Sequence, residues 1–358
     1  MHVLHGVEDN LSEWTDFHRP AFRDQRWLET SWFGFWVPEH GIRGHIRAAF
    51  RTNQEVVFSM VNIYSRGGGV LDMDFFDSQM HVPLGRSDRY SDFSLTSGLS
   101  YKGHPAPNHY TVRFHSRCKR VQLDLEYEAL MPPADLSFTT LADGPAGFAA
   151  FHRESGFDVP TGHIDQTFRA RGTLVMDGDR YDVDCVSNRD QSWSPRAEFN
   201  SLAGTFDNFH FGEEMTFSAQ ALERPYGTAQ VSQAYILLGS ELRRVKRAEV
   251  TYKRTGLVTD SIHYDVEDET GAIHSIDADT SYAINQDQGS NGVTVMNYCI
   301  PRWNGKTGYG ECMWHWDIPE MQRIVRAARK AEPDLSVDAV FDRLMARPET
   351  FPRKAGSK

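Results

Sequence analysis

Cysteine is scarce: Cys118, Cys185, Cys299 and Cys312 are the only four in 358 residues, and no two form a Cys-x-x-Cys pair. Thiols so far apart build neither a zinc ribbon nor a disulfide framework, so reduced, mostly buried cysteines are expected. Long apolar runs are missing too. The amino terminus, "MHVLHGVEDNLSEWTDFHRP", carries charges where a signal peptide has its apolar core, and nothing later approaches the ~20 apolar residues of a membrane span, so a cytoplasmic location is expected. Positive charge is in deficit. A net charge of −11 works against binding phosphate backbones, and the single basic cluster, "RRVKR" at 243–247, falls in a strand-like stretch where a solvated face explains it; nucleic acid is not an expected partner. The 15 histidines are scattered without His-x-His, His-Glu-x-x-His or Cys/His spacing, so no metal is expected. No Gly-rich phosphate loop, Gly-x-Ser-x-Gly elbow or dinucleotide fingerprint follows a strand, which leaves cofactor-free chemistry or none.

What the sequence has in abundance is period two. In "RVQLDLEYEAL" (120–130), Val121, Leu123, Leu125, Tyr127 and Ala129 alternate with Gln122, Asp124, Glu126 and Glu128, the pattern of a strand with one wet face. Similar segments recur from "ETSWFGFWV" (29–37) to "GYGECMWHW" (308–316), separated by turn signals such as Asp177-Gly178 and Thr270-Gly271. Many short strands without intervening amphipathic helices predict an all-β protein of antiparallel barrels or sandwiches. Helical spacing appears only near the end, as a stripe of Met321, Ile324, Val325 and Ala328 and a second of Val337, Val340, Phe341, Leu344 and Met345 behind Ser336 as N-cap. The stretch 141–162, rich in Gly, Ala and Pro, reads as a linker, and 77–108 as a flap over a barrel mouth. The expected organisation is an extension over 1–24, a first β-barrel over 25–160, a second over 161–318, and a helical tail with a disordered end over 319–358.

The densest chemistry lies in "CVSNRDQSWSPR" (185–196), where Arg189, Asp190, Gln191, Trp193 and Arg196 gather at the end of a hairpin's second strand. Such a cluster closes a barrel end with an ion pair and an indole, or it places an acid, a guanidinium and an indole face at a pocket mouth. Alternation puts Arg189, Gln191 and Trp193 on one face and Asp190 on the other. His163 and Asp165 share a face of the preceding strand, and "DNFHFGEEM" (207–215) adds Asp207, His210, Glu213 and Glu214 as candidate acids or bases, or as a charged turn.

The run 163–196, "HIDQTFRARGTLVMDGDRYDVDCVSNRDQSWSPR", resembles the bacterial AttH-like and hydroxyneurosporene synthase (carotenoid hydratase) superfamily, which carries Arg-Asp-His-Ser-Trp-Gly-x-Arg at this place; "WLETSWFGFWVPEHGIRGHIRAAFRTN" (27–53) resembles the opening of its first domain. The resemblance implies two lipocalin-like antiparallel β-barrels packed side by side, with relatives that hydrate isolated alkenes or catalyse pericyclic reactions on a hydrophobic polyene held between the barrels. It also implies that the His and Trp of the phrase belong to the active site. Here the Trp is Trp193, while Gln191 stands in the place of the His and Ser194 in that of the Gly. An amide cannot deliver a proton as imidazolium does, so Asp190, His210 and His163 become the candidate carriers. The expected function is a cofactor-independent lyase, isomerase or cyclase acting on a mostly apolar, unsaturated small molecule such as a terpenoid, steroid or aromatic catabolite. Asp190, Trp193 and His210 are the catalytic candidates, and Gln191, Arg196, His163 and Asp165 the substrate-binding ones. A non-catalytic carrier of hydrophobic ligands is the alternative, which Gln191 favours, and a homodimer is compatible with the sequence.

Overall fold

Strand alternation decides which residues meet, and Val121–Ala129 shows it: the odd positions through Tyr127 are buried, and the even ones are open or half-open. This computed structural model describes residues 16–18, 26–86, 88–142, 144, 162–196, 203–223, 226–287 and 292–346. Most of the expected linker and the chain after residue 346 lie outside the described residues.

The first sheet contains β1 (Trp27–Val37), β2 (Ile42–Arg51), β3 (Val56–Tyr64), β4 (Phe75–Pro83), β5 (Asp92–Ser94), β6 (Leu99–Gly103), β7 (His109–His115), β8 (Val121–Ala129), β9 (Ala134–Asp135), β10 (Gly162–Met176) and β11 (Asp179–Pro195). Its order is β4-β3-β2-β1-β11-β10-β8-β7-β6-β5, with β9 added beside β10, and it curls into a half-barrel. The second sheet contains β12 (Ala203–His210), β13 (Met215–Glu223), β14 (Ala229–Leu238), β15 (Glu241–Thr255), β16 (Val258–Asp268), β17 (Ile273–Asp287), β18 (Gly292–Trp303), β19 (Lys306–Thr307) and β20 (Tyr309–Asp317). Pairing of β17 with β18 closes it into an eight-stranded barrel. The all-β, two-barrel expectation is thus met, with one barrel half open.

Two expectations need correction. The hairpin of β10 and β11, turning at Asp177 and Gly178 with φ of 51° and 96°, belongs to the first sheet and does not open the second barrel. Its outer edges pair with β8 and β1, a long-range choice that period two does not encode. The sheets change hands after Pro195, well past the expected boundary near residue 161. The segment 77–108 is also no flap, since β4, β5 and β6 within it are sheet strands.

The helical stripes form α1 (Ile318–Ala331) and α2 (Val337–Ala346). Asp317 caps α1 by accepting from the backbone N–H of Glu320 at 2.8 Å, and Ser336 accepts from Ala339 N–H at 3.2 Å, the cap expected of it. Ile324, Val340, Phe341 and Leu344 bury the shared face. Among the described residues no helix is long and apolar enough to cross a membrane.

The convex face of the half-barrel packs on the outside of the closed barrel, and the seam between them is polar. Thr167 meets Tyr235 Oη at 2.9 Å, Asn188 donates to Asn208 at 2.6 Å, and Asn62 donates to Gln286. At its centre Arg43 grips Glu311 through Nε and Nη2 at 2.9 and 2.5 Å, both side chains 1 % exposed. The guanidinium lies 4.0 Å from the Trp36 ring centroid and over Gly34, where a Cβ would collide with it. Trp32 Nε1, which can only donate, reaches His45 Nδ1 at 3.2 Å. His45 therefore carries its proton on Nε2 and donates it to Glu311 at 2.9 Å. Burial opposes the charge on Glu311, but Arg43 and then His45 hold its carboxyl well below the ordinary value of 4.5.

Removing the carboxylate strands a buried guanidinium. Glu311→Gln is expected to cost about 3–5 kcal/mol in urea unfolding, near the cost of breaking a buried ion pair from one side. Because Glu311 is depressed in the folded state, the wild-type advantage over Glu311→Gln should be full above pH 4.5 and shrink as pH falls below it. An advantage that stays constant from pH 6 to pH 3 would show that the pair is not ionised as described.

Candidate functional site

The β10–β11 ladder sets Asp165 opposite Asp190 and His163 opposite Ser192, all on the seam face. His163 Nε2 lies 3.0 Å from Asp165 Oδ2 and 3.3 Å from Asp190 Oδ2, so two carboxylates flank one buried imidazole nitrogen. The second barrel adds Gln220, whose amide stands 3.2 Å from the same nitrogen, and Phe206, whose ring stacks on the imidazole at 6.1 Å. Arg196 Nη2 donates to Ser192 Oγ at 2.6 Å, and Ser192 Oγ in turn meets Thr30 Oγ1 at 2.6 Å. His163 is 2 % exposed, whereas Asp165 and Asp190 keep 12 % and 18 %, so the carboxylates are the reachable side of the cluster.

These surroundings set the protonation. Burial disfavours the charged imidazole, but Asp165 and then Asp190 raise His163 to about 9. Burial also pushes the Asp190 carboxyl up, the His163 charge pulls it down, and the Asp165 charge adds to the rise. Arg196 is drawn down to about 10, chiefly by its own burial. One imidazolium thus serves two carboxylates, and burial raises the Asp190 carboxyl from its ordinary value. The nitrogen and two oxygens lie within 4.8 Å of one another, a spacing that a divalent ion could bridge. Arg196 and Arg47, however, act electrostatically on the same Asp190 carboxylate, and the arrangement fits a shared proton better than a metal.

The other expected residues lie elsewhere. Gln191 and Trp193 occupy the opposite face of β11, inside the half-barrel, as alternation predicts for an unbulged strand. Trp193 packs with Trp27 and Ile164, has Gly162 where a Cβ would strike its ring, and carries the His18 imidazole stacked at 3.9 Å and 2°. One indole face is therefore covered. His210 is in neither group. It sits between Trp36 and Tyr309 with Nδ1 3.2 Å from Thr216 Oγ1, and burial lowers it to about 3, so it is neutral at physiological pH.

Sequence reasoning missed Glu29, His18 and Gln220. Glu29 is fully buried opposite Trp193, accepting from the backbone N–H of His18 at 2.9 Å and meeting His18 Nδ1 at 2.9 Å; burial raises its carboxyl. Its signal was parity, since Glu29 alternates in phase with the buried Phe33 and Phe35. Nothing local marks Gln220, which joins His163 only through the packing of the two sheets.

A family model described as a domain of unknown function, DUF7064, matches residues 12–318. No curated protein matches the sequence. Among solved structures the chain is similar to a protein from Nitrosomonas europaea assigned as an AttH, at 11 % identity, covering 87 % of this chain and 98 % of that one with a TM-score of 0.57. It is also similar to CghA, at 12 % identity over 82 % of this chain and 88 % of that one with a TM-score of 0.54, and to CghA with Sch210972, at 11 % identity over the same shares with a TM-score of 0.51. At these identities the likeness is one of fold, and the fold is that of the AttH-like proteins.

A titration checks the cluster. The His163 imidazole should titrate near 9 by long-range ¹H–¹⁵N NMR, and in Asp165→Asn it should fall by about one to three pH units toward the ordinary 6.5. Because the folded value is raised, His163 stabilises the fold fully below pH 6.5, and that contribution should fade as pH rises through 6.5 to about 9. A wild-type value at or below 6.5 would contradict the shared-proton geometry.

Proposed function

Since the chain belongs to the DUF7064 family, whose function is unknown, we propose from the site itself that it is a cofactor-independent enzyme using Asp190 as a general acid. The observation that carries this reading is the buried His163 imidazole with Asp165 and Asp190 both on its Nε2 at the inter-barrel seam. A carboxyl whose hold on a proton is raised by burial can, in its protonated form, give that proton to an electron-rich carbon. In that step the Asp190 O–H bond breaks, a C–H bond forms from the alkene π pair, and the adjacent carbon becomes cationic. His163 stabilises the new Asp190 carboxylate, and the carboxylates with the Phe206 ring favour the cation. The cation is then discharged by addition of water and loss of its proton (hydration), by loss of a neighbouring proton (isomerisation), or by attack of an internal alkene followed by proton loss (cyclisation), and in each case the proton released returns to the Asp190 carboxylate. Asp165 keeps His163 charged and oriented, and Arg196 fixes Ser192 beside the cluster.

The substrate class this chemistry suits is a mostly apolar, unsaturated small molecule such as a terpenoid, steroid or aromatic catabolite. One chain supplies every named group, so the site does not depend on a homodimer. The carrier reading keeps one observation in its favour, the amide of Gln191 where the hydratase phrase has an imidazole.

Native mass spectrometry of protein from its own host would name a co-purifying ligand, and incubation of that ligand in D₂O would separate the two readings. The wild type should place deuterium on carbon, and Asp190→Asn should do so at least about 10²-fold more slowly, the low end of general-acid contributions. Recovery of the ligand without deuterium from the wild type would leave the carrier.

A further inference from the structure

Arg189 is fully buried inside the half-barrel, on the face of β11 away from the seam, and among the described residues no carboxylate lies within ion-pairing distance of it. Its partners are neutral: Nε donates to Gln166 Oε1 at 3.0 Å, Nη1 to Gln191 Oε1 at 3.3 Å, and the group sits 5.2 and 5.9 Å from the Tyr110 and Phe168 ring centroids. Among the described residues Nη2 has no acceptor, and the buried hydroxyl of Tyr110 has no partner. The contrast with Arg43 is instructive. That guanidinium is equally buried, and the chain supplies it with a bidentate carboxylate. A guanidinium cannot shed its charge, so a buried one without a counter-ion is strongly unfavourable unless an anion completes it. Glu29, the buried acid on this face, is already engaged by His18.

We propose that Arg189 is the head-group subsite of a second ligand site, inside the half-barrel, that takes an amphiphilic carboxylate. Arg189 Nη2 and the Tyr110 hydroxyl donate to the carboxylate. The Gln191 amide oxygen, at the longer of the two Arg189 contacts, stands in for one ligand oxygen and swings aside on binding. Phe33, Tyr101, Tyr127 and Phe168 pack around this face and suit an apolar or unsaturated body. The site is separate from the Asp190 cluster, because the two side chains leave opposite faces of one strand.

The test uses the full chain and cis-parinaric acid with its methyl ester as probes, read by energy transfer from tryptophan, Trp27 and Trp193 being buried at the same end of this face. The wild type should bind the acid about tenfold or more tightly than the ester, a difference of about one charge-assisted hydrogen bond. Arg189→Gln should bring acid and ester within about twofold of each other, and Arg189→Lys should keep part of the preference. If Arg189→Gln does not fold, Tyr110→Phe, which removes only a hydroxyl, should still lower the preference. Equal binding of acid and ester by the wild type, no binding of the acid, or an unchanged preference in Arg189→Gln or Tyr110→Phe overturns the proposal. None of these outcomes depends on turnover, so they leave the role of Asp190 to its own experiment.

Discussion

The buried pairing of Arg43 with Glu311 is the interaction on which the two-sheet arrangement turns. A hydrophobic contact at this place would tolerate sliding of one sheet over the other, because dispersion and burial are nearly indifferent to register. A bidentate ion pair does not tolerate it. With His45 donating to the same carboxylate and Trp32 fixing the His45 tautomer, a shift of one residue would leave a buried cation and anion unmatched. The pair's worth is therefore better reckoned in alignment than in net stability. What it aligns is functional: Gln220 and Phe206 of the closed barrel come to rest against His163 of the half-barrel only when the seam is in this register.

Strand β11 is the second organising element, because it is polar on both faces. Half-buried strands ordinarily give one face to the core and one to water. Over the second half of β11, from Cys185 to Pro195, both faces are covered and only Asp190 is half-buried: Asn188, Asp190 and Ser192 enter the seam, while Arg189, Gln191 and Trp193 enter the half-barrel. Polar groups on both sides of a central strand carry a desolvation cost twice over, which the fold offsets with cross-strand partners drawn from β1 and β10. Where the offset is complete, as for Ser192 with Thr30 and Arg196, the group reads as structural. Where it is incomplete or finely shared, as for Arg189 and for the Asp165–His163–Asp190 set, the unbalanced charge is what a ligand or a transferred proton can use.

Much of this architecture was legible in the sequence. Period two marks the strands, Asp177-Gly178 the hairpin, and the two apolar stripes the helices, because each is a local pattern with a local cause. Parity goes further, since alternation alone separates Asp190 from Gln191 and Trp193. Membership of β10 and β11 in the first sheet was not legible, since both possible neighbours offer the same alternation and the choice rests on pairing with β1, some 150 residues away in sequence. Gln220 was hidden for the same reason. His210 misled because a histidine beside two glutamates suggests a wet, titrating turn, whereas its own parity turns it into the aromatic seam, where burial removes its charge.

The replacement of the phrase's histidine by Gln191 then takes on a physical meaning. The phrase itself sets an Arg two residues before its His, so Arg189 is the shared feature of this face and the change at residue 191 lies in the group that Arg189 meets. The Gln191 amide offers Arg189 an oxygen and carries no titrating proton. A proton carrier displaced from this face needs carboxylates to keep it charged in the absence of water, and such carboxylates are found across the strand, at Asp165 and Asp190 around His163. The electrostatics of the two faces are thus complementary: the interior favours a bound negative charge and the seam a stored proton, and a single strand keeps them apart.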